Sequence, residues 1–133
     1  MVRFRYRRLS RAAWILTGLL GLAWIGVEDR GLTAVITLAW MIALSSLLTV
    51  RARRGSPGAG GMRSWVLQGA AAGVLVAPIA AVLILLKVGL HAHPLPDFSS
   101  NQVASLLARM PVWAAAGGIL GAGAALIERA AEA

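Results

Sequence analysis

Four long uncharged apolar runs occupy most of this 133-residue chain: Ala12–Val27, Leu32–Val50, Trp65–Leu86 and Val112–Ile127. A hydrocarbon layer about 30 Å thick takes roughly 20 apolar residues of helix, with about 17 as the lower limit. The two middle runs reach that outright, and the outer two reach it by borrowing neighbours such as Leu9 and Met110. The expected fold is therefore an all-α membrane protein. It has four transmembrane helices arranged as two antiparallel hairpins, plus a short interfacial helix before the fourth span. As one domain over 1–133, its spans are expected at about 9–27, 31–50, 64–91 and 111–128, with a basic cytoplasmic loop at 51–63 and an outer loop at 92–102.

Composition supports the membrane reading. Only 14% of residues are charged and 59% are hydrophobic, against about 25% charged in soluble domains. No polar stretch is long enough for a separate aqueous domain. Cysteine is absent, which excludes disulfides, thiolate metal sites and cysteine nucleophiles. The net charge of +8 would suit nucleic acid in a soluble protein. Here the arginines cluster beside apolar runs, so topology explains them and no nucleic-acid partner is expected. The basic N-terminal stretch resembles a signal sequence, but no convincing small-x-small cleavage site follows, so it reads as a retained first helix.

Lysine and arginine divide unevenly between the two sides. One side receives Arg3, Arg5, Arg7, Arg8, Arg11, Arg51, Arg53, Arg54, Arg63 and Arg129, and the other Arg30, Lys87 and Arg109. The positive-inside rule then places both termini and the 51–63 loop in the cytoplasm, and the imbalance argues against dual topology. Trp14 and Trp65 fall near the cytoplasmic ends of their spans and Trp24 and Trp113 near the outer ends, as two interfacial belts would. Trp40 is the exception in mid-span, to be packed on a neighbouring helix or lipid, or to line a pigment or lipid contact. Lys87, near an outer end, is expected to snorkel.

Connections set neighbours. Glu28-Asp29-Arg30-Gly31 is a tight turn joining the first hairpin. The linker at 51–63 contains Gly55-Ser56-Pro57-Gly58 and joins the two hairpins. Beyond the third span, Pro94 ends the helix near Ala92, and Ser99-Ser100-Asn101-Gln102 reads as a capping box. Val103, Leu106, Leu107 and Met110 follow at i, i+3, i+4, i+7, one apolar stripe of a short helix. Pro111 is expected to kink or break it there.

Membrane helices associate through close backbone approach and polar links, because lipid tails are as apolar as leucine. Gly69 and Gly73 in the third span, and Gly117 and Gly121 in the fourth, form small-xxx-small ridges. They serve either to hold the four helices together or to bind a protein partner. The second span adds Thr33, Thr37, Ser45, Ser46 and Thr49.

No ionisable residue lies deep in any run, which leaves a proton-coupled exporter without its titratable group. The one constellation with metal-ligating types is Lys87–Asp97. His91, His93 and Asp97 have nitrogen and oxygen donors for a divalent metal, and His91 alone could ligate a haem or chlorin. Alternatively they are interfacial residues on a structured turn, His93, Pro94 and Asp97 then serving recognition of a partner. Hydrolase, zincin, Walker and dinucleotide signatures are absent. The expected function is thus a non-catalytic accessory or assembly subunit of a larger membrane complex, respiratory or photosynthetic among the candidates, with lipids and other membrane proteins as partners. A small homo-oligomeric channel or transporter with a Thr/Ser-lined route, and an outer-face metal or pigment binder using His91 and His93, are the alternatives.

Overall fold

The computed structural model describes residues 2–26, 31–54, 61–91 and 98–130. They form five helices: α1 (Val2–Ile25), α2 (Leu32–Arg54), α3 (Met62–His91), α4 (Ser100–Ala108) and α5 (Met110–Ala130). The chain is all-α. Three helices, over Leu32–Arg53, Met62–Leu90 and Met110–Ala130, are long and apolar enough to cross a bilayer. They mark a multi-pass integral membrane protein.

α1 is not among those three. It is 24 residues long, but arginines occupy its first half, and its uncharged part runs only from Ala12 to Ile25. At 1.5 Å per residue that part covers roughly 21 Å, short of the about 30 Å of hydrocarbon. The helical ends also shift relative to expectation. α2 runs on to Arg54 and α3 starts at Met62, so both invade the 51–63 loop. α3 carries Pro78 inside it, which removes the donor for the Val74 carbonyl.

Packing follows chain order. α1 packs on α2, α2 on α3, and α3 on α5, the last pair most intimately, while α1 and α5 do not pack along their length. The hairpin of α1 and α2 is antiparallel: Trp14 Nε1 donates to Thr49 Oγ1 at 3.0 Å, and one turn deeper the Thr17 and Ser45 hydroxyls meet at 3.2 Å. The core is small-sided, built on Val35, Ala39, Ala43, Ala72, Val76, Ala77 and Ala80. Large residues such as Leu19, Leu22, Leu85, Ile119 and Ile127 face outward. That inversion of the soluble pattern is how helices approach closely in lipid.

α4 forms as its local signals dictate. Ser99 caps it, accepting from the Gln102 N–H at 3.2 Å while the Gln102 side chain accepts from the Ser99 N–H at 2.7 Å. Leu106 and Phe98 are buried, and Val103 and Met110 pack against the same core. Leu107 breaks the expected stripe and is exposed. Only Arg109 separates α4 from α5, so Pro111 sits in the first turn of α5, where proline's missing N–H costs little.

Candidate functional site: a lateral cavity ending on Glu128

α3 and α5 cross through glycine. A Cβ built on Gly69 would land on the Gly117 carbonyl oxygen, one on Gly73 on the Trp113 carbonyl, and one on Gly121 on the Trp65 carbonyl. Both ridges singled out in the sequence therefore face each other inside the chain.

Because α1 and α5 do not pack along their length, a space is left between them. It has a volume of about 470 Å³ and is partly open. Its floor is the backbone of Gly69, Gly117 and Gly121 at the α3–α5 crossing. Its walls are leucine-rich, with Leu9 from α1, Leu44, Leu47 and Leu48 from α2, and Leu120 and Ile127 from α5. Trp40 also lines it and meets Trp113 edge to face, with ring centroids 6.4 Å apart.

The other end is polar. Glu128 accepts from Tyr6 Oη at 3.0 Å through Oε1 and from Trp65 Nε1 at 2.6 Å through Oε2. The Arg51 guanidinium lies 3.4 Å from the centroid of the Trp65 ring, a stacked cation–π arrangement. Arg51 Nε donates to Gln68 Oε1 at 3.0 Å, and Gln68 Nε2 donates to Ser64 Oγ at 2.8 Å. One network thus joins α1, α2, α3 and α5 at the arginine-rich end. Glu128 is the one acidic side chain among the described residues, and both its oxygens hold ring systems from other helices. This is chemistry for positioning and recognition: an apolar slot with a fixed carboxylate, a phenol and an indole at one mouth.

Sequence reasoning missed Tyr6, Arg51, Trp65 and Glu128 as a group. The usable signal was Glu128, the first carboxylate after the last apolar run, on a side where Glu132 is its one acidic companion. The tryptophans assigned to the two interfacial belts differ in exposure. Trp24 and Trp65 are buried and Trp113 is half-buried, while Trp14 is exposed. Lys87 does not snorkel. It is 1% exposed, and its Nζ lies 4.5 Å from the centroid of the Trp24 ring. The hydroxyls of α2 are largely turned to their own helix. Thr37, Ser46 and Thr49 donate to the carbonyls of Thr33, Ile42 and Ser45.

His91 ends α3, and its side chain, with His93, Pro94 and Asp97, lies outside the described residues. Among the described residues no group of three or more His, Cys, Asp or Glu is placed to hold a metal ion. Comparison with known proteins finds no matching family model, no matching curated protein and no matching solved structure.

Proposed function

We propose that this chain is a non-catalytic integral membrane protein that crosses the bilayer four times, with both ends on the arginine-rich cytoplasmic side, and that it holds a chain-like amphiphile in the lateral cavity. The observation that carries this reading is the cavity itself, apolar along its length and polar at one mouth. Its 470 Å³ falls within the roughly 300–1,000 Å³ typical of small-molecule sites. Its lining is mostly aliphatic side chains from three helices around a backbone floor. A flexible hydrocarbon tail suits it. The polar head would then lie beside Glu128, Tyr6 and Trp65.

The fourth crossing is supported by the surroundings of α1. It runs antiparallel along α2, a spanning helix, and exposes Ile15, Leu16, Leu19, Leu20 and Leu22. Such a surface belongs in lipid. Arg7, Arg8 and Arg11 then sit at the headgroup level, where long cationic side chains reach water. An accessory role in a larger assembly is compatible with this function, and would use the outward sides of α1 and α5 instead of the glycine ridges.

Native mass spectrometry of the full chain, released from membranes in mild detergent, tests the reading. A lipid-mass adduct is expected on the wild type and lost in Leu47→Trp and Ala124→Phe, which fill the cavity, with helicity retained. A wild type without adduct, or equal adducts in all three, refutes it. Reporter fusions after Ile25, Arg54, His91 and Ala130 test the four crossings, with alternating sides expected.

A further inference from the structure

A second concavity lies on the other face of the α1–α2 hairpin and shares no lining residue with the cavity above. Arg7, Ser10 and Arg11 of α1 and Thr49, Ala52 and Arg53 of α2 enclose about 550 Å³. Each trio has i, i+3, i+4 spacing, which puts its members on one helical face. The two faces oppose each other across the notch. Ser10 and Ala52 are buried and small, so the notch is deep between the helices. Ser10 Oγ donates to the Arg7 carbonyl, and Thr49 Oγ1 donates to the Ser45 carbonyl while accepting from Trp14. The hydroxyls thus serve the backbone, and the recognition surface is guanidinium.

Three arginines line one polar space, and among the described residues no carboxylate shares that lining. Planar guanidinium forks match phosphate oxygens in geometry as well as charge. The level is informative too. The Trp14–Thr49 hydrogen bond lies three residues below Arg11, about 4.5 Å deeper along the helix, and Trp14 is 42% exposed, as an indole at the headgroup boundary is. Beneath the notch, the face of Arg11 continues through Ile15, Gly18 and Leu22. Ile15 and Leu22 are 65% and 72% exposed, and a Cβ on Gly18 would meet nothing. This is a shallow apolar track aligned under a phosphate-sized cationic notch.

We propose that the Arg7–Arg11–Arg53 notch binds the phosphate group of an anionic glycerophospholipid, whose acyl chain lies along Ile15, Gly18 and Leu22. The site is independent of the lateral cavity and of whatever fills it. At an anionic membrane surface each basic residue contributes about fivefold to affinity. A preference for anionic over zwitterionic lipid of at least about tenfold follows, with roughly fivefold lost per arginine removed.

The test places the full chain in phosphatidylcholine nanodiscs with increasing fractions of phosphatidylglycerol brominated on its acyl chains. The quenching read is the part lost in Trp14→Phe. Half-quenching is expected at a bromolipid fraction about tenfold lower than with brominated phosphatidylcholine. Arg7→Gln, Arg11→Gln and Arg53→Gln are each expected to raise that fraction about fivefold. All three positions are exposed, so these variants keep the fold. Arg63→Gln, exposed and outside the notch, is expected to leave it unchanged. Equal half-quenching by both lipids overturns the proposal, as does a loss in Arg63→Gln matching that in Arg11→Gln, which would mean a diffuse surface potential. Inorganic phosphate that displaces the bromolipid at millimolar concentration overturns the lipid assignment, because the notch would then read phosphate without a tail.

Discussion

The α3–α5 crossing makes a sharp quantitative claim, because α5 carries its own control. Gly121 and Gly123 lie two residues apart in one helix. A Cβ on Gly121 would strike the backbone carbonyl of Trp65, whereas one on Gly123 would meet no atom within 4 Å. Replacement by alanine gives each position the same gain in helix propensity, about 1 kcal/mol. That gain cancels in the comparison and leaves the steric cost alone. Overpacking typically costs about 1–3 kcal/mol, and here the obstacle is backbone, which has no rotamer to escape into, so the upper part of that range applies. Gly121→Ala is therefore expected to be about 3 kcal/mol less stable than Gly123→Ala. Gly69→Ala, Gly73→Ala and Gly117→Ala should fall with it, and Gly18→Ala and Gly89→Ala, which also face open space, should match Gly123→Ala. Unfolding by sodium dodecyl sulfate in mixed micelles, followed by circular dichroism, measures the difference. If Gly121→Ala and Gly123→Ala unfold at the same detergent fraction, the helices do not cross through glycine and the placement of α5 is wrong.

Three further outcomes follow from the polar links. Glu128→Ala removes the acceptor of the Tyr6 hydroxyl and of the Trp65 indole N–H, and is expected to cost about 2 kcal/mol in the same unfolding assay, with Glu128→Gln intermediate because it retains one acceptor oxygen; unchanged stability in Glu128→Ala refutes the network. Tyr6→Phe removes the hydrogen bond from α1 to Glu128 at a net value of about 1 kcal/mol. Since the chain has no cysteine, a single Ala124→Cys in the cavity wall reports opening, and its thiol labelling is expected to speed up about fivefold in Tyr6→Phe; an unchanged rate contradicts α1 as a cavity wall. Ser45→Ala deletes the buried partner of Thr17 and is expected to cost about 0.6 kcal/mol, the average for hydrogen bonds between membrane helices; a loss above 2 kcal/mol would mean that Ser45 carries packing the structure does not show.

What was legible in the sequence was what is encoded locally. The capping box of Ser99 and Gln102 needs four consecutive residues, and it forms as read. Small-xxx-small ridges are periodic along one helix, so Gly69, Gly73, Gly117 and Gly121 stood out. Periodicity does not say which ridge meets which, and the choice between an internal and an external partner needed the fold. The polar mouth of the cavity was invisible for the same reason: Tyr6 and Glu128 are 122 positions apart. Tryptophan placement fails differently. Chain position fixes an indole's depth along a span but not whether it turns to lipid or to a neighbour, and Glu128 and Lys87 draw Trp65 and Trp24 inward. α1 was read as a span over about 9–27 by borrowing Leu9, but its arginines leave an uncharged part, Ala12–Ile25, that falls short of the three long apolar helices.

The same physics explains why the cavity lies where it does. In lipid, burial of leucine against leucine adds no driving force between helices, so attachment depends on backbone approach and on polar links. α3 and α5 have the first, through paired glycines. α1 has chiefly the second: the hydroxyl pair of Thr17 and Ser45, the Trp14–Thr49 bond, and the Tyr6–Glu128 bond at the mouth. At the magnitudes found for such links these three contribute about 2 kcal/mol, and the Lys87–Trp24 contact and the packing of α1 on α2 add to them. α1 lacks the paired-glycine backbone contact that joins α3 and α5. The cavity thus has a floor of paired glycine backbone and a wall, α1, joined to the rest by side chains, which is why the space opens between α1 and α5 and not at the glycine crossing.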